Sequence, residues 1–148
     1  MDAHSNLGVL LKNKGDLDGA EAEYLKAIEI DPHHVAAHNS LGVLLETKGD
    51  LDGAEAEYLK AIEIDPQHTG ALCNLGFLLR TERDQQAEAE QLFRRMIQLK
   101  PDDPNAHNNL GETLKAQGDA AGAKKAYERA LSIAPRDEFA LKALAELE

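Results

Sequence analysis

The sequence predicts an all-α chain of antiparallel helix pairs stacked as a solenoid, and three observations carry that reading. Residues 1–34 and 35–68 are two copies of one segment, identical at 27 of 34 positions, a length at which internal repeats mark helical arrays. Apolar residues recur within each half-copy at helical spacing. Gly-Asp pairs stand at the middle of the copies and Pro32, Pro66, Pro101 and Pro135 at their ends, so each copy is punctuated into two helices.

In the first copy, Ala3, Leu7, Leu10 and Leu11 form one stripe of an amphipathic helix. Gly15 is placed to take the left-handed conformation that closes this helix, and Asp16 to cap the next; Gly49-Asp50 and Gly118-Asp119 repeat the device. The second helix turns Leu17, Ala20, Tyr24, Ala27 and Ile28 inward, and Pro32 beyond its end cannot continue it. Residues 35–68 return all of this as Leu41, Gly42, Leu45, Gly49, Ala54, Tyr58, Ala61 and Pro66.

The third copy, 69–103, keeps Leu75, Gly76 and Leu79, but its Ala89, Phe93, Met96 and Pro101 come one residue late. Its turn, Arg83-Asp84-Gln85-Gln86-Ala87, has no glycine. Asp84 is expected to cap the second helix, with Arg83 or its neighbour in the strained conformation. Residues 104–137 restore the register, and 138–148 begin a fifth copy as a capping helix. There Glu138, Lys142 and Glu146 are spaced for pairs along a wet face. First helices are expected at 2–14, 36–48, 70–82, 105–117 and 138–147, and second helices at 17–30, 51–64, 85–99 and 120–133.

Glycine inside a helix costs about 1 kcal/mol relative to alanine, so Gly8, Gly42, Gly76 and Gly111 need a packing reason. Close approach of the paired helices, with the small Ala20, Ala54, Ala89 and Ala123 opposite, is the expected one.

The positions Leu-Gly, Ala, aromatic, Ala and Pro, recurring four times, resemble the tetratricopeptide repeat over essentially the whole chain. His4, His38, Leu72 and His107 stand where that family usually has Trp. The resemblance implies a right-handed superhelix, read as a single domain 1–148 with repeats 1–34, 35–68, 69–103 and 104–137, whose concave side holds an extended peptide of a protein partner.

Composition narrows the partner. The net charge of -11 and pI near 4.9 exclude a phosphate-backbone ligand, which needs clustered Lys and Arg; no nucleic acid is expected. Residues 1–68 carry 14 acids and 5 bases and residues 69–148 carry 13 and 11, so steering of a basic partner favours the N-terminal half. No apolar run reaches the roughly 20 residues of a membrane span, and Cys73 has no second cysteine to pair with. A cytoplasmic chain without a membrane partner is the expectation. Nothing covers the first helix from the N-terminal side, which suggests a longer array, or a monomer that self-associates weakly through that end.

Turning each first helix by about 100° per residue puts the second, fifth, sixth, ninth and thirteenth positions opposite the core. The sixth are Asn6, Ser40, Asn74 and Asn109; the fifth Ser5, Asn39, Cys73 and Asn108; the ninth Val9, Val43, Phe77 and Glu112. Carboxamides both donate and accept, which suits a peptide backbone, and the row is similar to the asparagine ladders of the tetratricopeptide superhelix of O-linked N-acetylglucosamine transferase. The plainer reading is that these amides satisfy local backbone. The candidate peptide site is Asn6, Val9, Asn39, Val43, Asn74, Phe77, Asn108, Asn109 and Glu112. A clamp for chaperone C-terminal carboxylates would need basic residues where Ser5, Gly70 and Asn74, or Asn39, Asn105 and Asn109, stand; Lys12, Arg80 and Lys115 only flank the row.

No nucleophile, base and orienting acid recur together, so no catalytic centre or cofactor is expected. His33, His34 and His38 lie close in sequence, but His4, His38 and His107 fall on the core stripe, where packing with one satisfied nitrogen is preferred to a metal site. Cys73 reads as a small groove residue rather than a reactive thiol. The function expected is a non-enzymatic protein-interaction scaffold, the alternative a helical accessory domain of a larger enzyme such as a glycosyltransferase.

Overall fold

A computed structural model describes residues 2–148; Met1, with which the predicted first repeat begins, lies outside the described residues. Among the described residues there are nine helices and no strand: α1 Ala3–Asn13, α2 Leu17–Ile30, α3 Val35–Thr47, α4 Leu51–Ile64, α5 Thr69–Thr81, α6 Gln86–Leu99, α7 Pro104–Ala116, α8 Ala120–Ile133 and α9 Glu138–Leu147. The expected second helices and α9 fall where the pattern put them, apart from α6, which starts one residue late. The first helices α3, α5 and α7 begin one residue earlier than expected. At α3 and α7 the reason is a cap: the His34 ring and the Asp103 carboxylate accept from the first turn.

The punctuation works as anticipated in three of the four turns. Gly15, Gly49 and Gly118 have φ of 84°, 85° and 85°, and Asp16, Asp50 and Asp119 accept from the backbone N–H of Gly19, Gly53 and Gly122. The third turn departs from expectation. Asp84 itself takes the left-handed conformation, at φ 54°, and Gln85 occupies the N-cap position of α6 without a side-chain cap bond. The Gln86 amide donates to the Arg80 carbonyl and to Asp84 at 3.1 Å each, a side-chain brace in place of glycine.

The chain divides into two compact units, Met1–Asn74 and Leu75–Glu148. In the first, α1, α2, α3 and α4 pack in sequence order around Ala20, Tyr24, Leu41 and Leu44, with Leu11, Leu17, Ile28 and Leu45 against them. Residues 14–32 and 48–66 are identical, so α2 and α4 are one helix used twice. In the second unit, α6 to α9 pack in order, and Phe93, Leu110, Leu114, Tyr127, Ala140 and Ala143 are buried.

Two expectations about the core are corrected. The group facing each mid-helix glycine is an aromatic ring rather than alanine. A Cβ on Gly8, Gly42, Gly76 or Gly111 would lie 2.6, 2.6, 2.8 or 2.5 Å from Tyr24, Tyr58, Phe93 or Tyr127, so the missing side chain is the seat of the ring. Of the fourth-position histidines, buried His107 keeps the single bond expected, Nε2 donating to the Pro101 carbonyl at 2.9 Å, whereas His38 engages both nitrogens. In buried His38, Nδ1 lies 2.6 Å from Glu57 and Nε2 donates to the Pro32 carbonyl at 3.0 Å. The face of α1 is open: Leu7 and Leu10 are 42% and 50% exposed, whereas their counterparts Leu41 and Leu44 are buried.

Candidate functional site

In the first unit, Asn6 and Val9 of α1 are exposed, and Asn39 and Val43 of α3 and Asn74 of α5 are half-buried. The Asn74 amide donates to Asn39 Oδ1 at 3.0 Å. These two carboxamides thus satisfy one another in part, and each keeps capacity for a further bond. A cleft of about 620 Å³ in the same unit is lined by Asp2, Ser5, Asn6, Ile30, His33 and His34 among others. Ser5 donates to Asp2 at 3.1 Å, and His34 Nδ1 accepts from Ala37 N at 3.4 Å as the α3 cap. That tautomer puts the proton on Nε2, 3.4 Å from Ser5 Oγ. The ring therefore offers Ser5 a donor and no base. Among the described residues no group of three or more His, Cys, Asp or Glu is arranged to hold a metal.

In the second unit, Phe77 is 46% exposed and the Arg80 guanidinium lies 5.2 Å from its ring centroid. Arg80 also approaches Glu112 at 3.7 Å, and Glu112 accepts from the Tyr127 hydroxyl at 2.5 Å. Burial, then the Glu112 carboxylate, pushes that hydroxyl well above the usual tyrosine range. Asn109 is half-buried. Asn108, placed by the sequence on the open face, is buried and donates to Asp137 Oδ2 at 2.6 Å.

Sequence reasoning passed over Phe139. Half-exposed at the start of α9, it lines two clefts: one of about 280 Å³ with Asn105, Asn108, Asn109 and Asp137, and one of about 200 Å³ with Glu112, Lys115, Lys142, Ala143 and Glu146. The signal was present, because Phe139 holds the second position of the fifth copy, which helical geometry turns away from the core. In the smaller cleft Glu146 meets Lys115 at 3.2 Å, so its partner is on α7 rather than the expected Lys142.

Models of the tetratricopeptide repeat match residues 5–69, 57–91 and 81–147. The chain belongs to the tetratricopeptide repeat family. Among curated proteins it is similar to human aspartyl/asparaginyl beta-hydroxylase, 44% identical over 48 residues. That match spans 32% of this chain and only 6% of the hydroxylase. Among solved structures, MamA has a TM-score of 0.87 at 27% identity, covering 99% of this chain and 83% of that one. PilF of Pseudomonas aeruginosa has a TM-score of 0.89 at 30% identity, covering 99% and 66%. The Cut9-Hcn1 hetero-tetramer of the APC/C, at 18% identity and a TM-score of 0.84 over 97% of this chain and 29% of that one, shows the fold alone. Tetratricopeptide repeats are generally protein-interaction scaffolds without enzymatic activity. No helix among the described residues is long and apolar enough to cross a membrane.

Proposed function

We propose that this tetratricopeptide repeat chain is a non-enzymatic, cofactor-free scaffold that holds an extended peptide of a protein partner along the first helices of each unit. One observation carries the reading: in a chain of net charge -11, the first helices carry a row of carboxamides, Asn6 exposed and Asn39, Asn74 and Asn109 half-buried, interrupted by exposed Val9 and Phe77, with only Asn108 withdrawn into the fold. Solvation alone would fill such a face with Lys and Glu, whereas amides suit backbone N–H and C=O groups, and the apolar residues seat one or two side chains. The acidic surroundings favour a peptide with neutral or basic flanks. On this reading the chain works as one cytoplasmic domain, a monomer or a weak self-associate through the open face of α1.

The test is recovery of partners from lysate. Changing Asn74 and Asn109 together to Ala is expected to reduce recovery while leaving helical circular dichroism and melting nearly unchanged. Leu75→Ala, at a buried position, is the control and is expected to cost about 2–5 kcal/mol of stability. Undiminished recovery with the double variant would move the interaction to the second helices or to α1. The match to a segment of the hydroxylase supports the second reading, a helical accessory domain of a larger enzyme; a catalytic domain in the full gene product would decide for it.

A further inference from the structure

The cleft of about 280 Å³ between α7 and the start of α9 lies just below the roughly 300–1,000 Å³ typical of sites for drug-sized ligands. It suits one side chain of a bound peptide, and three features set the chemistry of that side chain. Phe139 offers an aromatic surface: it is half-exposed, and the edge-on Tyr127 ring, 6.4 Å away between centroids, holds it in place. Asn108 offers an acceptor. Its Nδ2 is committed to Asp137 at 2.6 Å, which fixes the sense of the amide, because the reverse setting would face an oxygen to a carboxylate. Its Oδ1 is then buried without a hydrogen-bond partner, in a side chain only 7% exposed. Asp137 offers charge. Its oxygens accept from Phe139 N, Ala140 N and Asn108, which places the carboxylate firmly but leaves it negative, and no lysine or arginine lines the cleft.

We propose that this cleft binds the guanidinium of an arginine side chain carried by the peptide partner, a refinement that rests on the peptide-scaffold reading above. A planar cation stacks on Phe139, its fork of N–H groups supplies the donor that Asn108 Oδ1 lacks, and its charge faces Asp137. Lysine fits less well, since a point-like ammonium neither stacks nor spans separated acceptors. The cleft on the other side of Phe139 sets Lys115 and Lys142 against Glu112 and Glu146, with Lys115 paired to Glu146, so it offers a cation no net attraction, whereas Asp137 on the amide side faces no basic residue.

Displayed random peptides, selected on the full chain, test the assignment. The binders are expected to share an arginine at a fixed position, and replacing it by neutral citrulline in the synthetic peptide should weaken binding at least tenfold. Phe139→Ala and Asp137→Asn should bind both forms alike; Asn retains the capping acceptor of Asp, and circular dichroism checks that α9 stays folded. Binders without arginine, or an arginine preference that survives both variants, would overturn the cleft and leave the peptide scaffold standing. Arginine dependence with no response to the Asn74 and Asn109 double variant would overturn the amide row instead, and failure to select any peptide would overturn both. An independent ¹⁵N titration with N-acetyl-arginine amide should shift Phe139, Ala140 and the Asn108 side chain where N-acetyl-citrulline amide does not. Equal shifts from the two would sink the proposal.

Discussion

The absent side chain of Gly42 and the ring of Tyr58 are one feature seen from two helices. The ring is buried, and its hydroxyl donates to Glu46 at 2.8 Å, which ties it in place. Gly42→Ala gains about 1 kcal/mol of helix propensity but forces its Cβ to within 2.6 Å of the ring. Overpacking of this kind costs about 1–3 kcal/mol, so a net loss is expected in urea unfolding, and a gain would show that the ring can yield. At the helix surface Glu23 is held below its ordinary carboxylate range by hydrogen bonds first from His4 and then from Lys26. A carboxylate depressed by folding stabilises the fold above its unfolded pKa, and that contribution disappears as pH falls through the folded value. Melting temperature should therefore decline as pH drops below about 4.5, and Glu23→Gln should flatten the decline; an unchanged slope would remove the pair from the acid response.

At the scale of the element, the turn between α5 and α6 shows what a missing glycine costs. Asp84 sits at φ 54°, a conformation about 1–2 kcal/mol unfavourable for most L-residues and less so for Asp. Asp84→Gly should raise stability by about 1 kcal/mol in thermal melts, and no rise would mean that the Asp84 bond to Gln86 offsets the strain. The same turn marks where the sequence stops being legible. Gly-Asp punctuation announces its own geometry, because glycine is suited to positive φ and aspartate is a good cap. A run of Arg, Asp and Gln has several ways to close, and the choice of Asp84 for the left-handed position depended on where the Gln86 amide could reach. The histidine caps were hidden for a related reason: imidazole is not among the usual N-cap groups, yet His68 Nδ1 accepts from Ala71 N at 3.0 Å. Helical periodicity told which face each groove residue occupies but not the height at which neighbours meet. Neither the bond between the half-buried Asn39 and Asn74 nor the burial of Asn108 against Asp137 could therefore be read.

At the scale of the whole molecule, repeat proteins hold together by intrinsic and nearest-neighbour terms, and the two sides of a helix pair are covered unequally at an end. The outer face of α1 keeps Leu7 and Leu10 open where α3 buries the equivalent Leu41 and Leu44. Amide hydrogen exchange should accordingly be faster in α1 than in α3, since local opening is cheapest where few apolar contacts are lost. Equal protection would indicate that something covers α1 in solution.

The identity of residues 14–32 and 48–66 also bears on how the chain finds its pairing. Since α2 and α4 present the same side chains to a first helix, contacts alone distinguish poorly between α1 docking on one or on the other. Connectivity separates them: α1 reaches α2 across residues 14–16, three residues, and would reach α4 only across residues 14–50, 37 residues. Three to four doublings of loop length amount to about 2 kcal/mol of closure entropy, a modest bias against a non-native pair. The first helices do differ, since Glu46 accepts the Tyr58 hydroxyl whereas the corresponding Lys12 carries an ammonium with no lone pair to offer, but Glu46 would meet the same tyrosine on either second helix. The three-residue link is therefore what tells two identical helices apart.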